Sequence, residues 1–264
     1  MKGFWHDVKG VYGSAWAFAF ACPILFLVPV IAEFAQHVVE VQGGMYQSAQ
    51  GARDAAADPA RMQWGFIKTL AITLPSYWMY RYVVSGRSAA YARTIEVRAL
   101  ALWLAIYAFM SLLTWLGLFG PALGDLLGLE GRAATAVRTT LTIVQVGIGI
   151  YLTAWFVAWS QGNAAVGPVQ SFRIMRGFFW RTLLLILAGI VPLMALHYTS
   201  LLAIGRPEAV VWAVMVFDSL VVGFLSLTIY GANAVAACRA AAAKGVTLRR
   251  GSPRDEVGKA AATA

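Results

Sequence analysis

Glu33 ends an apolar stretch and His37 lies one turn beyond it, a four-residue spacing that puts both side chains on one face of a helix. Gln36 and Glu40 extend that face outward. An imidazole beside carboxylates can exchange a proton, bind a cation or join helices through hydrogen bonds. This segment is therefore a candidate for chemistry.

Other ionisable and amide side chains lie inside further apolar stretches. At a rise of about 1.5 Å per residue, Lys68 lies about 6 Å inside its stretch, Gln145 and His197 about 8 Å, and Asp218 about 12 Å. If alternate stretches run in opposite directions, all of these positions fall at the outer side. Polar groups at such depth are costly and are functional candidates. We call the group the polar layer: Glu33, His37, Lys68, Gln145, His197 and Asp218.

Three interpretations of the polar layer stay open. In the first, Lys68 pairs with Asp218 or Glu33, the histidines bond to hydroxyl or backbone groups, and the layer only fixes helix packing. In the second, the layer lines an outward-facing, water-filled cavity that binds a substrate or a proton. In the third, His37, His197, Glu33 and Asp218 bind zinc, which suits these residue types. Only one four-residue spacing supports the third, so we predict no metal ligands.

The sequence contains no motif typical of an enzyme. A glycine-rich phosphate loop, a His-Glu-x-x-His pair and a Gly-x-Ser-x-Gly turn are all missing, and the chain has only three histidines. We therefore predict no catalytic residues and no cofactor, and we favour a protein that is not an enzyme.

Six apolar stretches must position the polar layer. Each has about twenty residues, enough for a helix to cross a hydrocarbon core of about 30 Å. The 264-residue chain is 60% hydrophobic and only 12% charged, with a mean hydropathy of +0.68. We predict an all-α polytopic membrane protein with six transmembrane helices as three hairpins over residues 1–238, with short interfacial amphipathic helices. The predicted spans are Ala15–Phe34, Trp64–Val84, Ala99–Leu118, Thr140–Ser160, Thr182–Leu202 and Val210–Tyr230.

The basic residues predict the orientation. Most of the 21 lysines and arginines fall on one side if both termini are cytoplasmic, as the positive-inside rule requires. The net charge of +9 is then a topology signal and a contact with anionic lipid, not a sign of nucleic-acid binding. Arg81 should extend to the cytoplasmic interface, and residues 239–264 should form a basic mobile tail. The predicted lipid head-group contacts are Arg173, Arg176, Arg181, Arg249 and Arg250.

Aromatic and basic segments that could be interfacial amphipathic helices precede alternate spans: Gly3–Ser14, Ser88–Arg98 and Val169–Arg181. Phe4-Trp5-His6-Asp7-Val8 precedes the first, and Ser171-Phe172-Arg173-Ile174-Met175-Arg176 precedes the fifth. In these segments and in its architecture the chain resembles the YciC-like family and the membrane domain found beside some glycerophosphodiester phosphodiesterases. The resemblance implies a six-span bacterial membrane protein and carries no catalytic residues.

The combined features favour a non-enzymatic accessory or scaffolding subunit of a larger complex in a bacterial inner membrane. The aromatic spans, short loops and few buried charges suit contacts with lipids and partner helices. Two alternatives remain: a small-molecule or ion transporter that uses the polar layer, and a membrane-embedded lipid-modifying enzyme.

Overall fold

The computed structural model describes residues 2–56, 58–120 and 126–250, and all regular secondary structure within them is helical. The helices are α1 (Lys2–Ala21), α2 (Pro23–Gln42), α3 (Ala49–Ala56), α4 (Pro59–Thr73), α5 (Ser76–Val84), α6 (Ala89–Arg93), α7 (Val97–Phe119), α8 (Gly131–Trp159), α9 (Pro168–Met175), α10 (Phe179–His197) and α11 (Glu208–Ala243). A 3-10 segment, Tyr198–Ala203, continues α10.

Five segments among the described residues are long and apolar enough to cross a membrane, so the chain is an all-α membrane protein. The five segments are Pro23–Gln42, Val97–Phe119, Gly131–Trp159, Phe179–Ala203 and Glu208–Ala243. The last and longest of them, α11, lies at the centre of the bundle and packs against α1, α2, α5, α8 and α10.

The first predicted span, Ala15–Phe34, straddles a break between two helices. Cys22 leaves the helical conformation, and Pro23, which has no N–H to donate, starts α2. The candidate span therefore begins and ends later than predicted, at Pro23–Gln42. The predicted span stops at Phe34 because the last two turns of α2 carry buried polar side chains instead of apolar ones.

The second predicted span, Trp64–Val84, is also interrupted. Helix α4 ends at Thr73 and α5 begins at Ser76, on either side of Pro75. The proline removes a backbone donor, and the hydroxyl of Ser226 on α11 donates to the carbonyl of Ile72 at 2.7 Å. With 15 and 9 residues, neither half reaches the length of a span, so only the two together could cross the membrane.

Small residues let α2 approach α11 closely. A Cβ atom added at Gly223 would overlap Cγ2 of Val30 on α2 and would also meet Phe26. Close packing of this kind is typical of membrane helices, which associate largely through van der Waals contact. The glycine therefore sets the distance at which side chains of α2 meet those of α11.

The interfacial helices and the tail differ in extent from their predictions. The first helix is longer than the predicted amphipathic segment, Gly3–Ser14, and α6 is shorter than its predicted segment, Ser88–Arg98. The predicted tail boundary at residue 239 falls inside α11, and Leu248 beyond that helix is buried. The predicted tail residues 251–264 lie outside the described residues.

Candidate functional site

One face of α2 carries four polar side chains that are almost wholly buried. Intervals of three, one and three residues keep these side chains on one side of the helix: Glu33, Gln36, His37 and Glu40. The exposed fraction is 1% for Glu33 and 3% for His37. Burial of such groups is unfavourable unless each finds a partner.

His37 connects two carboxylates through its two ring nitrogens. Nδ1 lies 2.9 Å from Oε2 of Glu40, and Nε2 lies 2.8 Å from Oδ2 of Asp218 on α11. A neutral imidazole has one N–H, so two hydrogen bonds to acceptor oxygens require a second proton on the ring or on a carboxyl group. The site therefore holds a proton that could be exchanged for another cation.

A second imidazole, that of His197 at the end of α10, also contacts the carboxylate of Asp218. Nδ1 of His197 lies 2.8 Å from Oδ1 and 2.9 Å from Oδ2 of the same carboxylate. Asp218 is 1% exposed, whereas the side chain of His197 is 21% exposed. One carboxylate thus joins α2, α10 and α11, with His37 on its buried side and His197 nearer the surface.

Two cations on α4 neutralise the remaining carboxylates. Nε of Arg61 donates to Oε1 of Glu40 at 2.8 Å, and Nζ of Lys68 lies 3.1 Å from Oε2 of Glu33. With Asp218 there are three carboxylates against two fixed positive charges. The cluster is neutral when one further positive charge is present on a histidine or on a bound ion.

Tyr46, just beyond α2, also contacts Glu40. Its hydroxyl donates to Oε2 of Glu40 at 3.4 Å. Burial, together with the nearby negative charge of Glu40, raises the pKa of Tyr46 well above its usual value. The phenol therefore stays protonated and serves only as a donor to this carboxylate.

A cavity of about 100 Å³ lies within this network. Glu33, Gln36 and His37 line its buried wall, and the partly exposed side chains of Arg61 and Lys68 lie at its rim. Oε1 of Gln36 is buried and accepts no hydrogen bond from the described residues, and Oε2 of Glu33 is buried beside the ammonium group of Lys68. A buried acceptor without a donor, such as that of Gln36, is rare and indicates a site for a proton, a water molecule or a cation.

Four members of the predicted polar layer line this cavity: Glu33, His37, Lys68 and His197. A fifth, Asp218, contacts both of the histidines. Of the two partners considered for Lys68, Glu33 is the one in contact, while Asp218 pairs with the histidines. Gln145 does not join them, because it is exposed on α8. Depth along a helix follows from residue count, whereas the direction that a side chain faces depends on how the helices pack.

Sequence reasoning left three participants out of the predicted site. Glu40 and Gln36 were recognised as lying on the same face as His37, and their spacing was the signal that they belong with it. Arg61 is 21 residues from Glu40 along the chain. No local pattern links the two, since α3 and the surrounding loops bring them together.

The predicted lipid contacts divide into two groups. Arg173 and Arg176 are exposed beside α9. Arg181 instead donates to the buried carboxylate of Asp7 at 2.7 Å, and Arg239 donates to the other oxygen of Asp7 at 2.8 Å. The Asp7 carboxylate therefore fastens α1 to α10 and α11.

The last two predicted lipid contacts, Arg249 and Arg250, are exposed but lie against protein groups. The guanidinium carbon of Arg249 lies 4.7 Å from the ring centre of Tyr91, and Nη1 of Arg250 lies 3.9 Å from Oε1 of Glu96. Each has a contact within the chain that competes with a lipid head group.

Arg81 is buried, contrary to the expectation that it extends to the interface. Its side chain is 2% exposed. The guanidinium lies 4.3 Å from the ring centre of Tyr91 and donates to the carbonyl of Ser160 at 3.2 Å. Protein acceptors and an aromatic ring thus replace the aqueous contact that the sequence suggested.

Comparison with known proteins gave no match: no family model, curated protein or solved structure matches this chain. The resemblance to the YciC-like family stays a prediction. The geometry described above is therefore the basis of the functional argument.

Proposed function

We propose that this chain is a non-enzymatic accessory or scaffolding subunit of a larger membrane complex. The observation that supports the proposal is the exposed amide of Gln145 within a candidate membrane span. Hydrocarbon cannot hydrogen-bond to an amide, so a side chain of this kind favours a polar group on a neighbouring helix.

Four exposed polar side chains of α8 lie along one line of the helix, at intervals of three and four residues: Thr135, Arg138, Thr142 and Gln145. Thr139 and Thr140 are also exposed but lie off this line. Such a stripe on an apolar helix is typical of a surface that another helix covers. We call it the α8 stripe.

Gly149 continues the α8 stripe toward the middle of the helix, four residues after Gln145. A Cβ atom added at Gly149 would meet nothing within 4 Å, so this glycine serves no close packing among the described residues. Small residues that no neighbour uses allow the backbone of a partner helix to approach. This supports a partner beside Gln145.

The proposal is tested by isolating the full-length chain from native membranes in mild detergent and identifying what accompanies it by mass spectrometry. We expect discrete membrane proteins with the unmodified chain and a loss of at least about tenfold with Gln145→Leu. Ile143→Leu, on another face of α8, is the matched control and should retain them. Recovery of the same partners with Gln145→Leu, or of none with the unmodified chain, would contradict the proposal.

We also propose that α4 and α5 together make the sixth crossing, in a bacterial inner membrane with both termini cytoplasmic. The exposed Arg173 and Arg176 support this orientation, because the end of the bundle to which α9 belongs would then face the cytoplasm. Reporter fusions in the turns at Gly86 and Gly205 should report opposite sides of the membrane. The same side for both would exclude this topology.

The buried cavity favours a second candidate function, a transporter that loads a proton or small cation at His37. Three partly exposed side chains at the rim, Arg61, Lys68 and His197, give the buried groups a route to water. Uptake of the proton or small cation into vesicles should then be lost with His37→Gln, while assembly of the chain with its partner proteins is retained. Normal uptake with this variant would remove this candidate.

A further inference from the structure

Three buried side chains from two helices direct ligand-type atoms toward one another. The ligand atoms of Glu33, His37 and Asp218 all lie within 4.8 Å of each other. Nε2 of His37 is 3.4 Å from Oε1 of Glu33 and 2.8 Å from Oδ2 of Asp218. Metal–ligand bonds of about 2.0–2.2 Å in a tetrahedral zinc site put ligand atoms about 3.3–3.5 Å apart, so small side-chain rotations suffice.

We propose that Glu33, His37 and Asp218 form a binding site for a divalent transition metal, with zinc as the ion that these ligands suit best. One imidazole and two carboxylates are donors that zinc accepts, and three protein ligands leave a fourth position open. The site involves neither α8 nor its stripe, so it stands independently of the accessory role proposed above.

The contact between His37 and Glu40 supports a metal at the opposite ring nitrogen. A histidine that binds a metal through one nitrogen usually donates its other N–H to a carboxylate, which fixes the tautomer and the ring orientation. Nδ1 of His37 lies 2.9 Å from Oε2 of Glu40, and Arg61 and Gln36 hold that carboxylate from its other oxygen. Nε2 is thereby directed at Glu33 and Asp218.

Asp218 is held in a comparable way. His197 donates to its carboxylate from the surface side, while His37 lies on the buried side. This second support restricts the rotation of Asp218 and leaves Oδ2 facing His37. Two of the three proposed ligands therefore have a partner that orients them before any ion arrives.

A buried acceptor without a donor lies beside the proposed ligands. Oε1 of Gln36 accepts no hydrogen bond from the described residues, whereas buried Oε2 of Glu33 faces the ammonium group of Lys68 at 3.1 Å. Both side chains are at least nine-tenths buried and line the cavity of about 100 Å³. A cation in this cavity would be coordinated by Glu33, and water bound to the ion could donate to Gln36.

Lys68 competes with an ion for Glu33. Its ammonium group donates to Oε1 of Glu33 at 3.3 Å and lies 3.1 Å from Oε2, and the side chain is 20% exposed. The flexible side chain of a lysine can withdraw toward water, which leaves the carboxylate to the metal. Lys68 therefore limits the affinity of the site without closing it.

The test measures Zn²⁺ binding to the purified full-length chain by calorimetry and by elemental analysis after dialysis. We expect the unmodified chain to bind one Zn²⁺ and either His37→Gln or Glu33→Gln to abolish binding. Glu40→Gln should weaken binding by about 10–100-fold, as for other residues that orient a metal ligand. The controls are His6→Gln, an exposed histidine, and Asp7→Asn, a buried carboxylate remote from the cavity; both should bind as the unmodified chain does.

Two results would overturn the proposal. One is an unmodified chain that retains no Zn²⁺ after dialysis, and the other is undiminished binding by folded His37→Gln and Glu33→Gln. If these variants fail to fold, Co²⁺ replaces Zn²⁺ on the unmodified chain, and the geometry is read from its visible spectrum. A four- or five-coordinate nitrogen and oxygen site supports the proposal, and a spectrum identical to aqueous Co²⁺ refutes it.

Discussion

Nε2 of His37 lies 2.8 Å from Oδ2 of Asp218, and this contact joins the last turns of α2 to the first third of α11. The two residues are 181 positions apart in the chain. Gly223, about one turn further along α11, lets α2 approach closely enough for the contact to form. Helix packing and the polar site therefore depend on each other.

Removal of one partner of this pair should destabilise the bundle. Asp218→Leu leaves two imidazoles without their acceptor in a buried site, and we expect a loss of about 3 kcal/mol in the free energy of unfolding. His37→Leu together with Asp218→Leu should cost less than the sum of the two single changes, with a coupling energy of about 0.5–3 kcal/mol. Denaturant titration in detergent measures all three variants. Strictly additive losses would show that the contact contributes nothing.

Substitution of Gly223, the glycine at the α2–α11 contact, by alanine should destabilise the protein. Gly223→Ala places a Cβ against the stiff side chain of Val30, and we expect a loss of about 1–3 kcal/mol in unfolding free energy. Gly147→Ala is the matched control, because its added Cβ meets nothing within 4 Å. The control should be neutral or slightly stabilising, since alanine favours helix. Equal stabilities in a thermal unfolding assay would contradict this packing.

Neutralisation of Lys68 should strengthen metal binding. Lys68→Met removes the ammonium group that competes for Glu33, and we expect the Zn²⁺ dissociation constant to fall about tenfold, which corresponds to about 1.4 kcal/mol. Arg61→Met is the contrasting variant: it frees Glu40, which orients His37, and should weaken binding. Calorimetry compares both with the unmodified chain. An unchanged affinity with Lys68→Met would show that the lysine does not compete.

Arginines on α9 and α10 should differ in their effects. Arg173→Gln with Arg176→Gln removes two exposed positive charges, and we expect weaker association of the membrane-embedded chain with anionic lipid, by about 1 kcal/mol per charge at low salt. Arg181→Gln removes a donor to buried Asp7 and should lower stability. Two measurements separate the effects: the enrichment of anionic lipid around the chain in vesicles of mixed lipid at two salt concentrations, and unfolding in detergent. Association that is insensitive to salt and lipid charge would refute the prediction.

Proline positions show how far local sequence determines these helices. Pro23 and Pro75 coincide with breaks, whereas Pro29 and Pro192 lie inside continuous helices. The residue type is the same in all four cases. A break persists where neighbours such as Ser226 satisfy the freed carbonyl groups, and those neighbours come from distant parts of the chain.

The sequence by itself determined the helical, apolar character of the candidate spans and the positions of polar residues along them, because length, hydropathy and rise per residue are local properties. It also placed Glu33, His37 and Glu40 on one face of α2. Only the tertiary structure decided which faces meet: it brought Arg61 to Glu40, paired Lys68 with Glu33 and left Gln145 outside. Rotation and contact between helices depend on side-chain packing across the whole bundle, which no local window contains.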